Sequence, residues 1–287
     1  MQTSSPSIFK QFYDLVRFEH TLFALPFAYG GMLLAGRGWP GLAIFTWVTL
    51  AMVGARTAAM AFNRLIDREI DRRNPRTQDR ALAKGTLKPA PAWGLAAGSL
   101  VLLGISAVML NPLATLLFPL AVVFLVFYSY TKRFTWLCHL VLGVTNGAAA
   151  AGGWIAVTGY FEPATFALWG AVALWIGGFD VLYALQDYAF DRAEGIHSIP
   201  ARFGIGRALK IARLGHGLAW LLFLLTGLLY GAGIWYFLGV ALIGAVLVYE
   251  HSLVSENDLS RVEQAFFQAN VAISLGMLVF ISLETLV

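Results

Sequence analysis

Nine times along this chain an apolar run of roughly 20 residues is closed by a polar or Pro/Gly break: near 19–36, 42–62, 92–110, 113–130, 136–158, 164–185, 209–229, 232–250 and 264–285. About 20 apolar residues let a helix cross a bilayer. Lipid offers the backbone no hydrogen-bond partners, so continuous runs of this kind span as helices. The expected class is therefore all-α, an integral bundle of nine transmembrane helices. Composition leads the same way, with 59% hydrophobic and 13% charged residues and a mean hydropathy of +0.70. Soluble domains carry roughly 25% charged residues, and a water-soluble core of this length could not hide so much apolar surface. Tight breaks fall at Asn111-Pro112, Gly159 to Pro163 and Gly231 to Gly233. No long polar insert interrupts the pattern, so residues 1–287 are expected to form one domain. The polar start, Met1–Lys10, lacks a cleavable leader pattern. Cys138 is the sole cysteine and reads as packing.

The 20 Lys and Arg residues are distributed unevenly over the two ends of these spans. All except Arg37 and Arg56 fall at one end: the N-terminal segment, the long stretch from Arg64 to Lys88, the short Lys132-Arg133 loop, the segment from Arg192 to Arg213, and Arg261. Positive loops stay in the cytoplasm. The expectation is a multi-pass protein of the cell membrane with its N-terminus and long loops cytoplasmic. The net charge of +4 then reports topology, and no nucleic-acid partner is expected.

The two longest basic loops, after spans two and six, each open on acidic residues. The first reads Asn63-Arg-Leu-Ile-Asp67-Arg-Glu-Ile-Asp71, and the second Asp187-Tyr-Ala-Phe-Asp191. Residues four apart share a helical face, so Asn63, Asp67 and Asp71 form one polar stripe, which Arg56 extends into the membrane. Asp180, Asp187 and Asp191 align in the same way on span six. Like charges at this spacing destabilise a helix, so something positive belongs between them. Arginine would serve. Magnesium would also serve, binding one or two carboxylates and completing its shell with water and substrate phosphates. Two such clusters facing each other could clamp a diphosphate. The plainer reading, a topology signal on solvated helix ends, leaves the repeated D-x-x-x-D spacing and intramembrane Asp180 unexplained.

These motifs carry a resemblance. Arg56-Thr-Ala-Ala-Met-Ala-Phe-Asn63-Arg-Leu-Ile-Asp67-Arg-Glu-Ile-Asp71 resembles the N-x-x-x-D-x-x-x-D signature of the UbiA superfamily of intramembrane prenyltransferases. Phe179-Asp180-Val-Leu-Tyr183-Ala-Leu-Gln186-Asp187-Tyr-Ala-Phe-Asp191 is similar to its second motif, and Tyr128-Ser-Tyr130-Thr-Lys132-Arg133 to the stretch after its fourth helix. The resemblance implies the nine-helix fold of that family, magnesium as cofactor, and a polyprenyl diphosphate and a small aromatic acid as substrates. By position, Asn63, Asp67, Asp187 and Asp191 would hold two magnesium ions, assisted by Asp71. Lys132, with Arg64, Arg80 and Arg133, would bind the departing pyrophosphate. Tyr128, Tyr130 or Tyr183 would face the allylic cation, and Asp180 would lie on the acceptor side.

Arg17 and Arg56 are the basic residues expected to meet an acceptor carboxylate. The opening Arg17-Phe-Glu19-His20-Thr-Leu-Phe departs from the start of typical 4-hydroxybenzoate enzymes and looks like the branch associated with 1,4-dihydroxy-6-naphthoate and menaquinone. The naphthoate is the expected acceptor on that ground, with 4-hydroxybenzoate as the alternative. A function of another class, an ion-coupled transporter, would also use buried Asp180 and Arg56, but carriers keep their sites near the midplane, whereas these carboxylates crowd one rim.

Overall fold

The computed structural model describes Leu15 and residues 21–287. Among the described residues nine principal helices follow one another: α1 (Thr21–Gly36), α2 (Leu42–Ile66), α3 (Pro89–Leu110), α4 (Pro112–Thr131), α5 (Cys138–Thr158), α6 (Pro163–Ala184), α7 (Ile205–Tyr230), α8 (Ile234–Ser252) and α9 (Asn270–Leu286). Over the described residues each expected apolar run coincides for most of its length with one of them. Among the described residues, α2 to α9 (the last counted from Val262) are long and apolar enough to cross a membrane, and α1 is shorter. Where nine spans were expected, the described residues hold eight helices of crossing length and the shorter α1.

Local chemistry sets the helix starts. Proline occupies the first position of α3, α4 and α6, where its missing N–H costs nothing. Asn111 caps α4 by accepting from the Ala114 N–H at 2.9 Å. Glu162 and Thr165 cap α6 reciprocally.

Packing follows membrane rules. The most intimate neighbours are α5 with α6, α6 with α7, α2 with α3, and α1 with α5. Helix α5 approaches two partners through small residues: a Cβ at Gly143 would strike the Ala173 carbonyl of α6, and one at Gly153 the Ala28 carbonyl of α1. The main core lies among α1, α5, α6, α7, α8 and α9, with Phe27 against Trp175 and Phe223 at 5.0 and 5.5 Å between ring centroids. The outside is apolar. Leu116, Leu228 and Val248 are at least 70% exposed, the inverse of a soluble surface and what a lipid-facing wall requires. The protein is a multi-pass membrane protein.

Three departures from regular helix position the site. Helix α2 ends at Asp67, and a separate short helix, Arg68–Arg73, follows. Beyond α6 the chain tightens into a 3-10 turn, Leu185–Asp187, before the short helix Tyr188–Ala193. Before α9, Ala265–Ala269 form a π-turn whose carbonyls at 265 and 266 accept from the Asn270 amide at 3.4 and 2.8 Å. The straight polar stripes expected from four-residue spacing are thus bent at both acidic segments.

Candidate active site

The two bent segments face each other across a cavity of about 290 Å³. Asn63, Asp67 and Asp71 line one wall, Asp180, Asp187 and Asp191 the other, and Lys132 and His139 stand between them. Aromatic side chains, including Tyr128, Phe179, Tyr183 and Phe266, line its apolar part.

Each carboxylate on the rim already has a donor. Asp67, 1% exposed, accepts from the Asn63 amide at 2.8 Å and pairs with Lys132 Nζ at 2.7 Å. Burial pushes its carboxyl above the usual range, and the Lys132 charge pulls it back. Its second oxygen, Oδ1, is buried without a hydrogen-bond partner among the described residues, with Arg133 3.9 Å away. Asp71 receives Arg80 Nη1 on both oxygens, at 2.8 and 2.9 Å. Asp187 is held from the opposite segment: Asn74 donates at 2.9 Å, and Arg76 donates through Nε at 2.9 Å and also through Nη2. Burial is the largest influence on Arg76 and works against its charge, but the Asp187 bond together with the nearby Tyr183, Asp187 and Asp71 groups outweighs it and raises the guanidinium above its usual value. Asp191 accepts from the Ser198 hydroxyl at 2.8 Å. Buried Arg64 donates to Asn63 Oδ1 at 3.0 Å.

Among the described residues, no three His, Cys, Asp or Glu groups converge into a ready-made metal cage. The donors are nevertheless all hard oxygens, they face each other in pairs, and one buried carboxylate oxygen has no hydrogen bond. Magnesium takes one or two carboxylates and fills its shell with water and phosphate, so this donor set fits an ion that arrives with a diphosphate.

Toward the apolar part, Asp180 is about a quarter exposed, and His139 Nδ1 bonds its Oδ2 at 2.6 Å. The Tyr183 hydroxyl accepts from Arg76 Nη1 at 2.8 Å, and its ring lies 4.2 Å from Phe266 between centroids. The Tyr128 hydroxyl donates to the Ala59 carbonyl at 3.1 Å. Arg56 also lines the cavity.

Two expected residues are not cavity-lining. Tyr130 is 42% exposed, with the Arg133 guanidinium 5.5 Å over its ring, and Arg133 itself donates to the Ile66 carbonyl at 2.5 Å. Helical geometry accounts for this: Tyr128 and Tyr130, two apart on α4, point about 200° apart, so only one can face inward. Arg17 and His20 lie outside the described residues. Sequence reading missed Asn74, Arg76, His139 and Ser198. Arg76 was legible only as topology charge, and His139 only as a polar residue opening an apolar run.

The chain and its fold have counterparts. A model described as the UbiA prenyltransferase family matches residues 24–273. A 4-hydroxybenzoate octaprenyltransferase of Marinobacter nauticus is 31% identical over 264 residues, spanning 92% of this chain and 88% of its own length. A 4-hydroxybenzoate solanesyltransferase of Synechocystis sp. is 34% identical over 218 residues, 75% of this chain and 74% of that one. The apo structure of a UbiA homolog from Aeropyrum pernix K1 superposes with a TM-score of 0.85 at 35% identity, covering 93% of this chain and 98% of that one. A UbiA homolog from Archaeoglobus fulgidus bound to GPP and Mg2+ shares the fold, with a TM-score of 0.72 at 22% identity over 95% and 99% of the two chains. With the family match covering most of the chain and relatives above 30% identity along three quarters or more of it, this chain belongs to the UbiA prenyltransferase family and is a membrane prenyltransferase, not a carrier.

Proposed function

We propose that this enzyme, acting as a single membrane domain with its polar rim in the cytoplasm, transfers a polyprenyl group from an allylic diphosphate to a small aromatic acid of quinone biosynthesis, 4-hydroxybenzoate. The observation that carries the reading is the pair of facing acidic segments at the mouth of a cavity that turns aromatic inward. The names of the relatives favour 4-hydroxybenzoate over the naphthoate. The naphthoate reading rests on the opening after Arg17, most of which lies outside the described residues.

In this mechanism Asn63, Asp67, Asp187 and Asp191, assisted by Asp71, would hold two magnesium ions. When bound, the metal supplies positive charge that stabilises the negative charge developing on the leaving diphosphate. Lys132, Arg64 and Arg80 bind diphosphate oxygens, with Arg133 adding charge from the rim. The allylic C–O bond breaks, and its electron pair leaves with the pyrophosphate. Tyr128 and Tyr183 turn electron-rich rings toward the cationic carbon, an attraction worth about 1–2 kcal/mol when desolvated. Arg56 meets the acceptor carboxylate. Asp180 accepts a hydrogen bond from the acceptor hydroxyl, which raises electron density on the ring. A ring carbon then bonds to the allylic carbon, and loss of the ring proton restores aromaticity. Apolar walls keep out water that would otherwise quench the cation.

A competition assay tests this reading. Membranes containing the enzyme receive magnesium, a labelled long-chain prenyl diphosphate, and equal amounts of 4-hydroxybenzoate and 1,4-dihydroxy-6-naphthoate. Prenylated hydroxybenzoate is expected as the main product, with EDTA abolishing it and added magnesium restoring it. Prenylated naphthoate would overturn the acceptor assignment and return the enzyme to the menaquinone route. Turnover unaffected by chelation would overturn the metal assignment.

A further inference from the structure

His139 opens α5 and is 4% exposed. Its two ring nitrogens have different partners. The Ile199 backbone N–H donates to Nε2 at 3.2 Å, while Nδ1 lies 2.6 Å from Asp180 Oδ2. A backbone N–H can only donate, so Nε2 must offer its lone pair. The ring hydrogen then sits on Nδ1 and is donated to Asp180. The tautomer is thereby fixed from the protein side, as a second hydrogen bond fixes it in many histidine sites. Asp180 keeps one oxygen tied to the imidazole and remains about a quarter exposed, toward the cavity. The anchor is itself held: Ile199 follows Ser198, whose hydroxyl donates to Asp191 at 2.8 Å.

We infer that His139 is a positioning residue for the acceptor. It orients Asp180 so that the free carboxylate oxygen meets the acceptor hydroxyl, and it acts through Asp180 without touching substrate. This deepens the proposed function and rests on Asp180 being the acceptor-side group. A carboxylate on a helix facing a cavity can turn about its side-chain bonds, and one short hydrogen bond from a rigid ring removes that freedom. The imidazole is locked in turn by the Ile199 amide, so the second acidic segment and the acceptor end share one hydrogen-bonded frame.

The test uses the full-length enzyme in detergent with magnesium, geranyl diphosphate and whichever acceptor the competition assay selects. His139→Leu removes both hydrogen bonds. It is expected to lower kcat/KM for the acceptor at least tenfold while leaving KM for geranyl diphosphate within twofold. His139→Gln offers a donor and an acceptor on one planar group and is expected to recover most of that loss. If His139→Leu fails to fold by thermal unfolding, His139→Ala, which retains neither ring nitrogen, carries the same expectation against His139→Gln. Unchanged acceptor kinetics in the disrupting variant, equal impairment of it and the Gln variant, or equal loss toward both substrates would each overturn the assignment. Asp180→Asn separates the two levels. Full activity in that variant would overturn the Asp180 reading itself, whereas an inactive Asp180→Asn beside a fully active His139→Leu would overturn only the role of His139.

Discussion

The two acidic segments look alike in sequence but are neutralised differently. In the first, Asp71 is met by Arg80 of its own loop, and Asp67 by Lys132 just beyond α4. In the second, among the described residues, no lysine or arginine of its own segment meets a carboxylate: Asp187 is held by Asn74 and Arg76 of the first segment, Asp191 by a hydroxyl, and Asp180 by an imidazole. The first wall meets Asp71 with its own Arg80 and Asp67 with Lys132 from the loop after α4, whereas the second takes its arginine from the first. A neutral donor leaves a carboxylate more of its negative charge to offer a ligand than a bound cation does. Asp191 and Asp180 are accordingly better prepared to bind cations and accept hydrogen bonds than Asp187, which Arg76 neutralises.

The comparison breaks most visibly if one carboxylate is neutralised on each wall. Asp67→Asn and Asp187→Asn are each expected to lower kcat by at least about 100-fold, the scale on which preorganised electrostatic groups act, with the protein still folded in detergent. Product formation near the parental rate in either variant would undo the two-walled arrangement.

Next in size is the link between walls. Arg76→Leu strips Asp187 of its cation and Tyr183 of a hydrogen bond, so a loss of roughly tenfold in kcat/KM for the prenyl diphosphate is expected, the scale of one charged hydrogen bond, together with a lower Tm. Arg72→Leu serves as the contrast, because the Arg72–Glu69 pair is about half exposed or more on both partners and exposed pairs contribute little. Equal Tm changes in the two variants, read by thermal unfolding, would show that the borrowed pair is no more than a surface contact.

The smallest effect sharpens the inward-outward division of α4. Tyr130→Phe should change kcat/KM less than twofold, since that ring lies outside the cavity, whereas Tyr183→Phe removes the hydroxyl that Arg76 holds and should cost several-fold, on the order of one hydrogen bond. Steady-state kinetics with geranyl diphosphate would reveal a reversed order.

Much of this architecture was legible in the chain. Apolar runs long enough to span lipid force helices because no other open structure satisfies the backbone there, and over the described residues each expected run lies for most of its length on a helix. Four-residue spacing identified the carboxylates at the rim, although helix ends at Asp67 and Ala184 bend the stripes that spacing alone would keep straight. Partner choice was not legible. Asn74 reaches Asp187 across 113 positions, and His139 reaches Asp180 across 41. A histidine opening an apolar helix carries no mark in sequence that a carboxylate will face it.

The sequence by itself determined the solvent, the helix order and the charges gathered at one end, because each depends on composition and short-range periodicity. Tertiary structure alone decided which cation meets which carboxylate, that Tyr128 and not Tyr130 looks inward, and that one imidazole ties Asp180 to the second acidic segment. Those choices depend on close approach, such as α5 meeting α6 at Gly143. Hydrogen bonds form only within about 3 Å, a distance that the packed helices fix and spacing along the chain does not.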